Sequence, residues 1–410
     1  MDVTLTEQLK LVFKNIESKE KAFQVFKITG EQYSEACSFI SEFYFNNNFK
    51  DSISSLHDSL YQVIRFQYGL KSQMTESAFK TVIARYKTIS EQQKQKVSKY
   101  TDESGRHYTF RHDLHWLQKP IIFKRPQVDL VRGRDWSFKN GMKTISVNTL
   151  FERVNCSYQC KPDSRIFDPT WKHGTAKLVF HESDKNWYLH ISVTRAFPET
   201  NRTKIKEVCG HDRGLVNIIT TCHDDGSISY TNGADVAKIR KKYANTRASL
   251  QSKGTKGAKR VLKRISGREN RMMNDVDHCI SKTLASTCST DTLHIFEDLT
   301  GISFDKNLKN RNSNSKNELR SWSFYSLETK AIYKTAMRRG MILKVNPQYT
   351  SQRCPKCGNI DKTARNHEKH TYTCPKCGSI YNDDAVASMN LKQLGLWYLS
   401  GVNDPHFSTK

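Results

Sequence analysis

The chain has 410 residues, with 66 lysines and arginines against 41 aspartates and glutamates, and a formal net charge of +25. This length allows two or three domains with their own cores, and so large a basic excess indicates a nucleic-acid partner rather than a surface made basic for solubility alone. No charged-then-apolar leader opens the sequence and no apolar run approaches about 18 residues, so we expect no membrane contact and a cytoplasmic location.

The first ninety residues mostly have the periodicity of helices. Thr4 and Glu7 have the spacing of a capping box, and apolar residues follow on one face, which predicts an amphipathic helix over 4–16. The run 22–28, ended by Gly30, predicts a short strand. From 31 to about 89 the spacing predicts a helical bundle. The bundle either packs only on itself or forms a lobe that binds a nucleic-acid duplex through Lys71, Lys80, Arg85 and Lys87.

The middle of the chain changes to the period of strands. The polar segment 90–107 is predicted to be a linker or exposed loop. Alternating apolar residues then predict an antiparallel sheet or barrel, with strands over 143–149, 176–180 and 187–194. Basic and aromatic residues alternate nearby, which favours RNA binding over a solvated basic rim, because cations pair with phosphates and rings stack on bases. These residues are Lys119, Lys124, Arg125, Arg132 and Arg134, with Trp116, Phe123 and Trp136.

An acid closes the next predicted strand, 207–212. Alternation along this strand places Asp212 and His211 on opposite faces. We therefore expect His211 to be a buried, hydrogen-bonded residue rather than a catalytic partner of Asp212. The dipeptide Asp225-Gly226 then predicts a hairpin.

A strongly basic segment follows. Residues 238–271 contain thirteen lysines and arginines and the single acid Glu269, with apolar residues at helical spacing. We interpret the segment as helices that lie along a nucleic-acid duplex and exchange counterions for phosphates, rather than as a solvated charged face. The candidate contacts are Lys241, Lys242, Lys259, Arg260, Lys263 and Arg264.

A second acid ends a second predicted strand, 292–297. Alternation selects Glu297 over Asp298 as the residue on the same face as the apolar side chains of that strand. The Asn-, Lys- and Ser-rich segment 305–318 is predicted to be a mobile loop near the site. A helix over 322–339 and a strand over 341–345 are expected after it.

Two Cys-x-x-Cys pairs, sixteen residues apart, then predict a zinc ribbon. A two-residue gap lets one tight turn offer two thiolates, so the two pairs supply the four ligands that tetrahedral Zn²⁺ needs. They are Cys354, Cys357, Cys374 and Cys377. The other cysteines, including Cys156 and Cys160, are scattered and are interpreted as ordinary thiols of a reducing compartment.

The third acid follows the ribbon directly, where Asp383-Asp384 opens a predicted helix. Asp212, Glu297 and Asp384, at two strand ends and one helix start, can converge to hold two divalent ions. Hard carboxylate oxygens favour Mg²⁺ or Mn²⁺. Arg353, beside the first ribbon cysteine, is either a contact to a scissile phosphate or an ordinary surface charge.

These motifs resemble the TnpB family, transposon-encoded RNA-guided nucleases related to miniature type V CRISPR effectors. The matching stretches are 210–214, 296–299, 347–358 and 384–391. The resemblance implies a RuvC-like nuclease domain of RNase H type, with Asp212, Glu297 and Asp384 as its metal ligands. The sequence departs from the family pattern at His211, which is usually apolar, and at Val386, which is usually asparagine.

The resemblance implies an α/β multidomain chain. We expect an N-terminal helix and first wedge strand (1–29), a helical recognition lobe (30–104), a β-barrel-like wedge module (105–204), the first part of the nuclease (205–353), the zinc ribbon (354–378), and the rest of the nuclease with a C-terminal tail (379–410).

The function implied is RNA-guided cleavage of DNA. Its partners would be a guide RNA encoded by the host element and a target double-stranded DNA with a short flanking motif, whereas the oligomeric state is left open. The alternative is a nuclease-inactive RNA-guided repressor, which His211 and Val386 keep open. A DNA-transposing enzyme is disfavoured because no nucleophilic tyrosine or histidine pair stands out.

Overall fold

The computed structural model describes residues 1–94, 96–182, 184–214, 216–299, 324–366 and 369–408. The loop predicted over 305–318 lies outside these residues, as does the start of the helix predicted over 322–339. The chain divides into two compact units, an N-terminal unit (Asp2–Arg195) and a C-terminal unit (Ala196–Lys410, with Met1). None of the helices within the described ranges combines the length and hydropathy that a membrane span requires.

The N-terminal unit begins with a strand, β1 (Asp2–Val12), so the helix predicted over 4–16 is wrong. The inward residues Val3, Leu9 and Leu11 alternate with outward ones and are buried. Glu7 occupies an inward position between them, where its carboxylate accepts hydrogen bonds from Ser164 Oγ at 2.7 Å and from an arginine Nη1 at 2.9 Å. This buried acid interrupts the apolar alternation, and it concealed the period of two.

Helix α1 (Ile16–Asn46) runs through residues 22–28, so the strand predicted there is also wrong. Gly30 does not end this helix. A Cβ on Gly30 would lie 3.0 Å from Cβ of Pro126, so glycine is required here for a close approach rather than for a turn.

The bundle predicted over 31–89 is confirmed. Helices α2 (Ile53–Tyr68) and α3 (Ser72–Lys94) complete it, and its core is aromatic and aliphatic. The largest contributors are buried and include Tyr33, Ile40, Leu56, Phe79 and Val82.

Residues 90–107 are not a loop. After α3 ends, β2 (Val97–Thr101) and β3 (His107–Arg111) pair as an antiparallel hairpin. Nearly all of its side chains are exposed, so the hairpin has no buried face that could have given an apolar alternation.

The described strands of the N-terminal unit after β3 are β4 (Gln127–Leu130), β5 (Trp136–Lys139), β6 (Thr144–Asn148), β7 (Arg153–Gln159), β8 (Lys172–His181) and β9 (Asn186–Ala196). Together with β1 they form a seven-stranded sheet, in the order β4-β8-β9-β1-β7-β6-β5. The predicted strands are confirmed as β6, β8 and β9, and the inward residues of β9 are fully buried.

The C-terminal unit is built on a five-stranded sheet, in the order β12-β11-β10-β13-β14 among the described residues. Strands β10, β13 and β14 are parallel, whereas β11 and β12 are antiparallel to their neighbours. The strands and the hairpin predicted here are confirmed as β10 (Glu207–Asp212), β11 (Asn217–Cys222), β12 (Ile228–Asn232), β13 (Thr292–Glu297) and β14 (Met341–Val345).

Helices cover both faces of this sheet. The basic segment is helical, as predicted. The helices of this unit within the described residues are α4 (Ala234–Lys253), α5 (Lys256–Ile265), α6 (Arg268–Thr287), α7 (Phe324–Met337) and α8 (Asp383–Leu399). On one face, Leu284 of α6 and Leu327 of α7 pack with Phe296. On the other face, α8 approaches so closely that a Cβ on Gly210 would lie 2.1 Å from the backbone oxygen of Ser388.

The ribbon is inserted between β14 and α8. Its strands β15 (Arg365–Asn366), β16 (Thr371–Thr373) and β17 (Ile380–Asn382) form a small antiparallel sheet. Tyr372 and Val386 are buried together with Cys354 and Cys374, so the ribbon packs on the first turns of α8.

Candidate active site

Three carboxylates meet at one edge of the five-stranded sheet. Asp212 is the last residue of β10, and Glu297 is the last residue of β13. Because these strands are parallel neighbours, with His211 paired to Phe296, both acids lie at the same end of the sheet. Asp384 lies in the first turn of α8, which packs across β10.

The three side chains act on one another electrostatically. Burial raises the pKa of Asp212 well above its ordinary value, and the charges of Glu297 and Asp384 raise it further. Burial likewise raises the pKa of Glu297. Such a group of acids is costly to ionise without cations, since each buried negative charge opposes the next. The donor set is all oxygen and anionic, so its chemistry fits a hard divalent cation.

Arg365, in strand β15 of the ribbon, contacts the acid pair at the start of α8. Its Nε donates to Asp383 Oδ2 at 2.8 Å, and its Nη2 donates to Asp384 Oδ1 at 3.4 Å. The same guanidinium opposes the upward pKa shifts of Asp212 and Glu297. The ribbon therefore delivers a positive charge to the carboxylates.

Neutral donors hold the acids in place. Asn217 Nδ2 donates to Asp384 Oδ2 at 2.9 Å, and the Thr350 hydroxyl donates to Glu297 Oε1. Asn382 caps α8, and its side-chain oxygen accepts from the backbone N–H of Asp384 at 3.1 Å. The hydrogen bonds from Asn217 and Thr350 fix the two carboxylates and leave their other lone pairs for a ligand.

Arg213 ties the first acid strand to its surroundings. Its Nη1 donates to Glu328 Oε2 of α7 at 2.9 Å, and its Nη2 donates to the backbone oxygen of Glu297 at 2.5 Å. Its guanidinium is buried, so the ion pair with Glu328 is shielded from solvent. Arg213 thus positions the backbone of β13 at the residue that carries the second acid.

The structure separates the acids within each adjacent pair. Asp298 is exposed and faces Lys344 at 3.7 Å, whereas Glu297 is buried beside Asp212. Asp383 is 1 % exposed and is held by Arg365 and by His370 Nδ1 at 3.5 Å. His370, Asp383 and Asp384 also offer ligand atoms within 4.8 Å of one another, so Asp384 is shared between two groups of possible ligands.

His211 is buried and points away from Asp212, which confirms the prediction. Its Nδ1 shares a hydrogen bond with Thr221 Oγ1 at 2.9 Å, and its Nε2 shares one with His294 Nδ1 at 2.9 Å. Burial lowers the pKa of His211 well below its ordinary value and lowers that of His294 to about 4. Both rings are therefore neutral at physiological pH, and they form a polar layer beneath Phe296.

The four ribbon cysteines come together as predicted. Cys354 and Cys377 have Sγ atoms 3.7 Å apart, those of Cys357 and Cys374 are 3.6 Å apart, and all four lie within 4.8 Å of one another. A Zn–S bond of about 2.3 Å in a tetrahedron requires sulfur atoms about 3.8 Å apart. The cluster can therefore bind zinc with almost no rearrangement.

Arg353 makes contacts inside the C-terminal unit. Its Nη1 donates to Asn390 Oδ1 at 3.2 Å, and its guanidinium lies 4.6 Å from the ring centroid of Phe407. Asn390 in turn donates to the backbone oxygens of Thr350 and Arg353. These contacts join the start of the ribbon to α8, and a contact between Arg353 and phosphate stays a prediction.

Ten of the other cations proposed for nucleic acid are exposed, whereas Lys71 of the bundle is half-buried and donates to Asn148 Oδ1 at 3.0 Å. The contacts of all these cations with nucleic acid stay predictions. Four of the ten lie in the N-terminal unit, where Arg132 and Arg134 also hydrogen-bond to neighbouring chain atoms. Trp136 was expected to stack on bases, but it is fully buried in the sheet. The exposed cations are Lys124, Arg125, Arg132, Arg134, Lys241, Lys242, Lys259, Arg260, Lys263 and Arg264.

The sequence did not identify Arg365, Asn217, Thr350 or Arg213 as part of the site. Arg365 lies between the two cysteine pairs of the ribbon, and only the fold shows that this interior faces α8. Arg213 and Asn217 could have been suspected from their places beside Asp212 in the turn to β11. Asn382 carried a readable signal, because an asparagine before an acid pair is typical of a helix N-terminus.

Comparisons with known proteins agree with this architecture. Residues 189–299 match the OrfB_IS605 family, described as "Probable transposase", and residues 324–391 match the "Cas12f1-like, TNB domain" family. The chain is similar to a Cas12f1 CRISPR-associated endodeoxyribonuclease of Sulfoacidibacillus thermotolerans, with 27 % identity over 47 % of this chain and 46 % of that protein. The Syntrophomonas palmitatica Cas12f1 is also 27 % identical, over 60 % of this chain and 50 % of its own. The chain thus spans about half the length of these relatives.

Two solved structures share the fold. A Cas12f1–sgRNA–target DNA complex superposes with a TM-score of 0.57 at 14 % identity, covering 95 % of this chain and 99 % of that one. CasPhi-2 (Cas12j) bound to crRNA and phosphorothioate-DNA gives a TM-score of 0.51 at 11 % identity, covering 99 % and 93 %. At these identities the likeness concerns the fold alone.

The matched families and folds define a class of transposase-related and Cas12-like proteins. Within that class, the TnpB-like protein MJ0751 of Methanocaldococcus jannaschii is 30 % identical over 61 % of this chain and 89 % of its own length. The chain belongs to the TnpB family.

Proposed function

We propose that the chain is an RNA-guided DNA endonuclease whose C-terminal unit is a RuvC-like nuclease of RNase H type. The observation that carries the proposal is the meeting of Asp212, Glu297 and Asp384 at one sheet edge, where burial and the charges of Glu297 and Asp384 raise the cost of ionising Asp212. In the described sheet, β10, β13 and β14 are parallel, and the antiparallel hairpin β11–β12 lies on the other side of β10. This strand order supports the same assignment.

Asp212, Glu297 and Asp384 would hold the catalytic ions, Mg²⁺ or Mn²⁺, which when bound would stabilise the attacking and leaving oxygens of a phosphodiester. The protein's own groups prepare that site. Arg213 and Thr350 fix the backbone and the carboxylate of Glu297, and Asn217 fixes Asp384. Fixing these oxygens in advance reduces the rearrangement that binding requires.

Arg365 has a distinct role in this proposal. Before metal binds, its guanidinium neutralises part of the negative charge at the start of α8. Because Arg365 belongs to the ribbon, the four cysteines that hold the ribbon together indirectly position a cation at the carboxylates. Loss of ribbon zinc should therefore impair cleavage even though the ribbon contains no catalytic acid.

The partners are proposed by extension. A transposon-encoded guide RNA would read the DNA target by base pairing, and the protein would read a short flanking motif. The basic helices α4 and α5 and the cations of the N-terminal unit would contact the guide–target duplex through phosphates. The domain boundaries set out from the sequence, with a recognition lobe and a wedge module in the N-terminal unit, belong to this proposal.

The test uses the full chain purified with RNA transcribed from its flanking locus. Sequencing the bound RNA identifies the guide, from which a matched DNA target carrying a randomised flank is made. We expect cleavage in Mg²⁺ that stops on brief EDTA treatment and resumes when Mg²⁺ is restored. A mismatched target and a catalytic variant, Asp212→Asn, are the controls.

Two outcomes would contradict the proposal in different ways. If the complex bound a matched target but cut neither strand in Mg²⁺ or Mn²⁺, the chain would be a guided repressor. If no defined RNA copurified and no matched target were bound, the RNA-guided function itself would be wrong.

A further inference from the structure

A second group of soft ligands lies on the face of β10 opposite the carboxylates. Cys209 of β10 and Cys288, the residue directly after α6, have Sγ atoms 3.3 Å apart. A ring nitrogen of His223, the residue after β11, completes the group, and all three ligand atoms lie within 4.8 Å of one another. No catalytic role described above uses these residues.

The fold itself brings the three residues together. The antiparallel register pairs Gly210 with Cys222, so the next position along β11 brings His223 opposite Cys209. Helix α6 ends where its chain turns toward β13, and this turn carries Cys288 beside Cys209. The two cysteines are 1 % and 6 % exposed, whereas His223 is partly exposed and gives access from solvent.

We infer that Cys209, Cys288 and His223 form a second site for a thiophilic divalent metal, zinc in the first place. Two thiolates and one imidazole are the ligand types that zinc prefers, and three protein ligands leave a fourth position that water fills. This site is separate from the ribbon in sequence and in its ligand set.

The geometry needs only a small adjustment. Tetrahedral zinc with bonds of about 2.3 Å to sulfur separates two thiolates by about 3.8 Å, so the present sulfur atoms would move apart by a few tenths of an ångström. His223 Nε2 shares a hydrogen bond of 2.8 Å with Ser229 Oγ. With Nδ1 as the ligand atom, this contact would be the outer hydrogen bond that usually accompanies a metal-bound histidine.

A metal here would clamp three segments that support the nuclease strand. Cys209 lies three residues before Asp212, and the turn that contains His223 is also held by Lys392 of α8, which donates to the backbone oxygens of His223 at 2.9 Å and Asp224 at 2.6 Å. The metal would thus fix the start of β10, whereas the carboxylates act at its end. Its role is structural, and its loss should lower stability before it alters chemistry.

The test counts zinc in the full chain. Protein purified with a thiol reductant and without chelators should contain two zinc ions per chain by elemental analysis. Cys288→Ser should contain one, and so should Cys374→Ser in the ribbon. Cys279→Ser removes an exposed thiol from the same helix α6 and should still contain two. His223→Ala keeps both thiols and should release the second zinc to a competing chelator at least tenfold more readily.

Cobalt gives a measurement that does not depend on the variants' folding. Wild-type protein loaded with Co²⁺ should contain two thiolate-bound equivalents, counted by thiolate-to-cobalt charge-transfer bands, which cobalt on the carboxylates does not show. The bands of the two sites should differ in intensity, because the ribbon offers four thiolates and the second site offers two. The inference would be overturned by a single zinc per chain in the purified wild-type protein, together with a single thiolate-bound cobalt per chain after cobalt loading. It would also be overturned by peptide mapping that finds Cys209 and Cys288 joined as a disulfide, if the reduced protein then takes up no second metal.

Discussion

The two faces of strand β10 carry side chains of opposite character. The face toward α8 carries Gly210 and Asp212, a residue with no side chain and a carboxylate that its neighbours make costly to ionise. The face toward α6 and α7 carries Cys209 and His211, which are buried and hydrogen-bonded. Adjacent residues of one strand therefore serve charge on one side and packing on the other, and the period of two keeps them apart.

The largest expected effect comes from removing charge on the α8 face. Asp212→Ala, Glu297→Ala and Asp384→Ala should each lower cleavage by at least about 10³-fold, since each removes a proposed metal ligand. Binding of a guide-matched target should be nearly unchanged, and a gel-shift assay beside the cleavage assay measures both. Asp298→Ala is the control, because its carboxylate is exposed and faces Lys344. Full cleavage by Asp384→Ala with loss in Asp383→Ala would move the ligand by one residue.

The metal-free site should also leave a signature in the pH dependence of stability. The pKa of Asp212 is raised in the folded state, so the favourable contribution of its protonated form is present below about pH 4 and is lost as the pH rises through the raised value. Stability should fall over that window with a slope of up to about 1.4 kcal/mol per pH unit for one proton. Urea unfolding in EDTA at several pH values measures it.

Two comparisons test that reading. Adding Mg²⁺ should remove most of the decline above pH 4. Without metal, Asp212→Asn should remove the part due to Asp212 and leave the smaller part due to Glu297. A metal-free wild-type protein whose stability rose steadily over the same window would show that these carboxylates are not held together in solution.

The close approach of α8 can be tested separately. Gly210→Ala places a methyl group 2.1 Å from the backbone oxygen of Ser388, so the helix must shift. We expect a loss of about 1–3 kcal/mol or more in the free energy of unfolding. In α5, a Cβ on Gly257 would make only an ordinary contact, with Thr255 Oγ1 at 4.0 Å, so Gly257→Ala should instead stabilise its helix by up to about 1 kcal/mol. Equal melting temperatures for the two variants would argue against the close packing of α8.

The smallest expected effect on cleavage comes from a substitution on the opposite face of β10. His211→Ile removes the partner of Thr221 and His294, which should cost about 1–3 kcal/mol in stability because buried polar atoms lose hydrogen bonds. Cleavage should be preserved, since the ring does not contact the carboxylates. Adding Thr221→Val should recover part of the stability. A large loss of cleavage in a variant that stays folded at the assay temperature would assign His211 to the chemistry.

The predictions from sequence were correct where the residue type and its spacing allow a single arrangement in the fold. The alternation that separates Glu297 from Asp298, and the spacing of the four ribbon cysteines, survived folding because a sheet face and a tetrahedron admit few alternatives. The predictions for the first thirty residues were wrong for the opposite reason. A buried glutamate in β1 broke the apolar pattern, and Gly30 served a tertiary contact with Pro126 that no local rule reveals.

The rest of the candidate site could not be read from the chain because it depends on which segments meet. Arg365 is one of many cations, and only the docking of the ribbon on α8 gives it carboxylate partners. The same holds for Cys209, Cys288 and His223, three scattered residues that strand register and a helix end bring into one cluster.

The late place of α8 in the chain has a consequence for protein synthesis. Until α8 emerges from the ribosome, the sheet face formed by Val208, Leu293 and Ile295 has no cover, and the third acid does not yet exist. At about 5–20 residues per second, the segment from Glu297 to Asp384 takes several seconds to translate. During that interval a nascent chain therefore lacks the complete set of three carboxylates, and this sheet face stays uncovered.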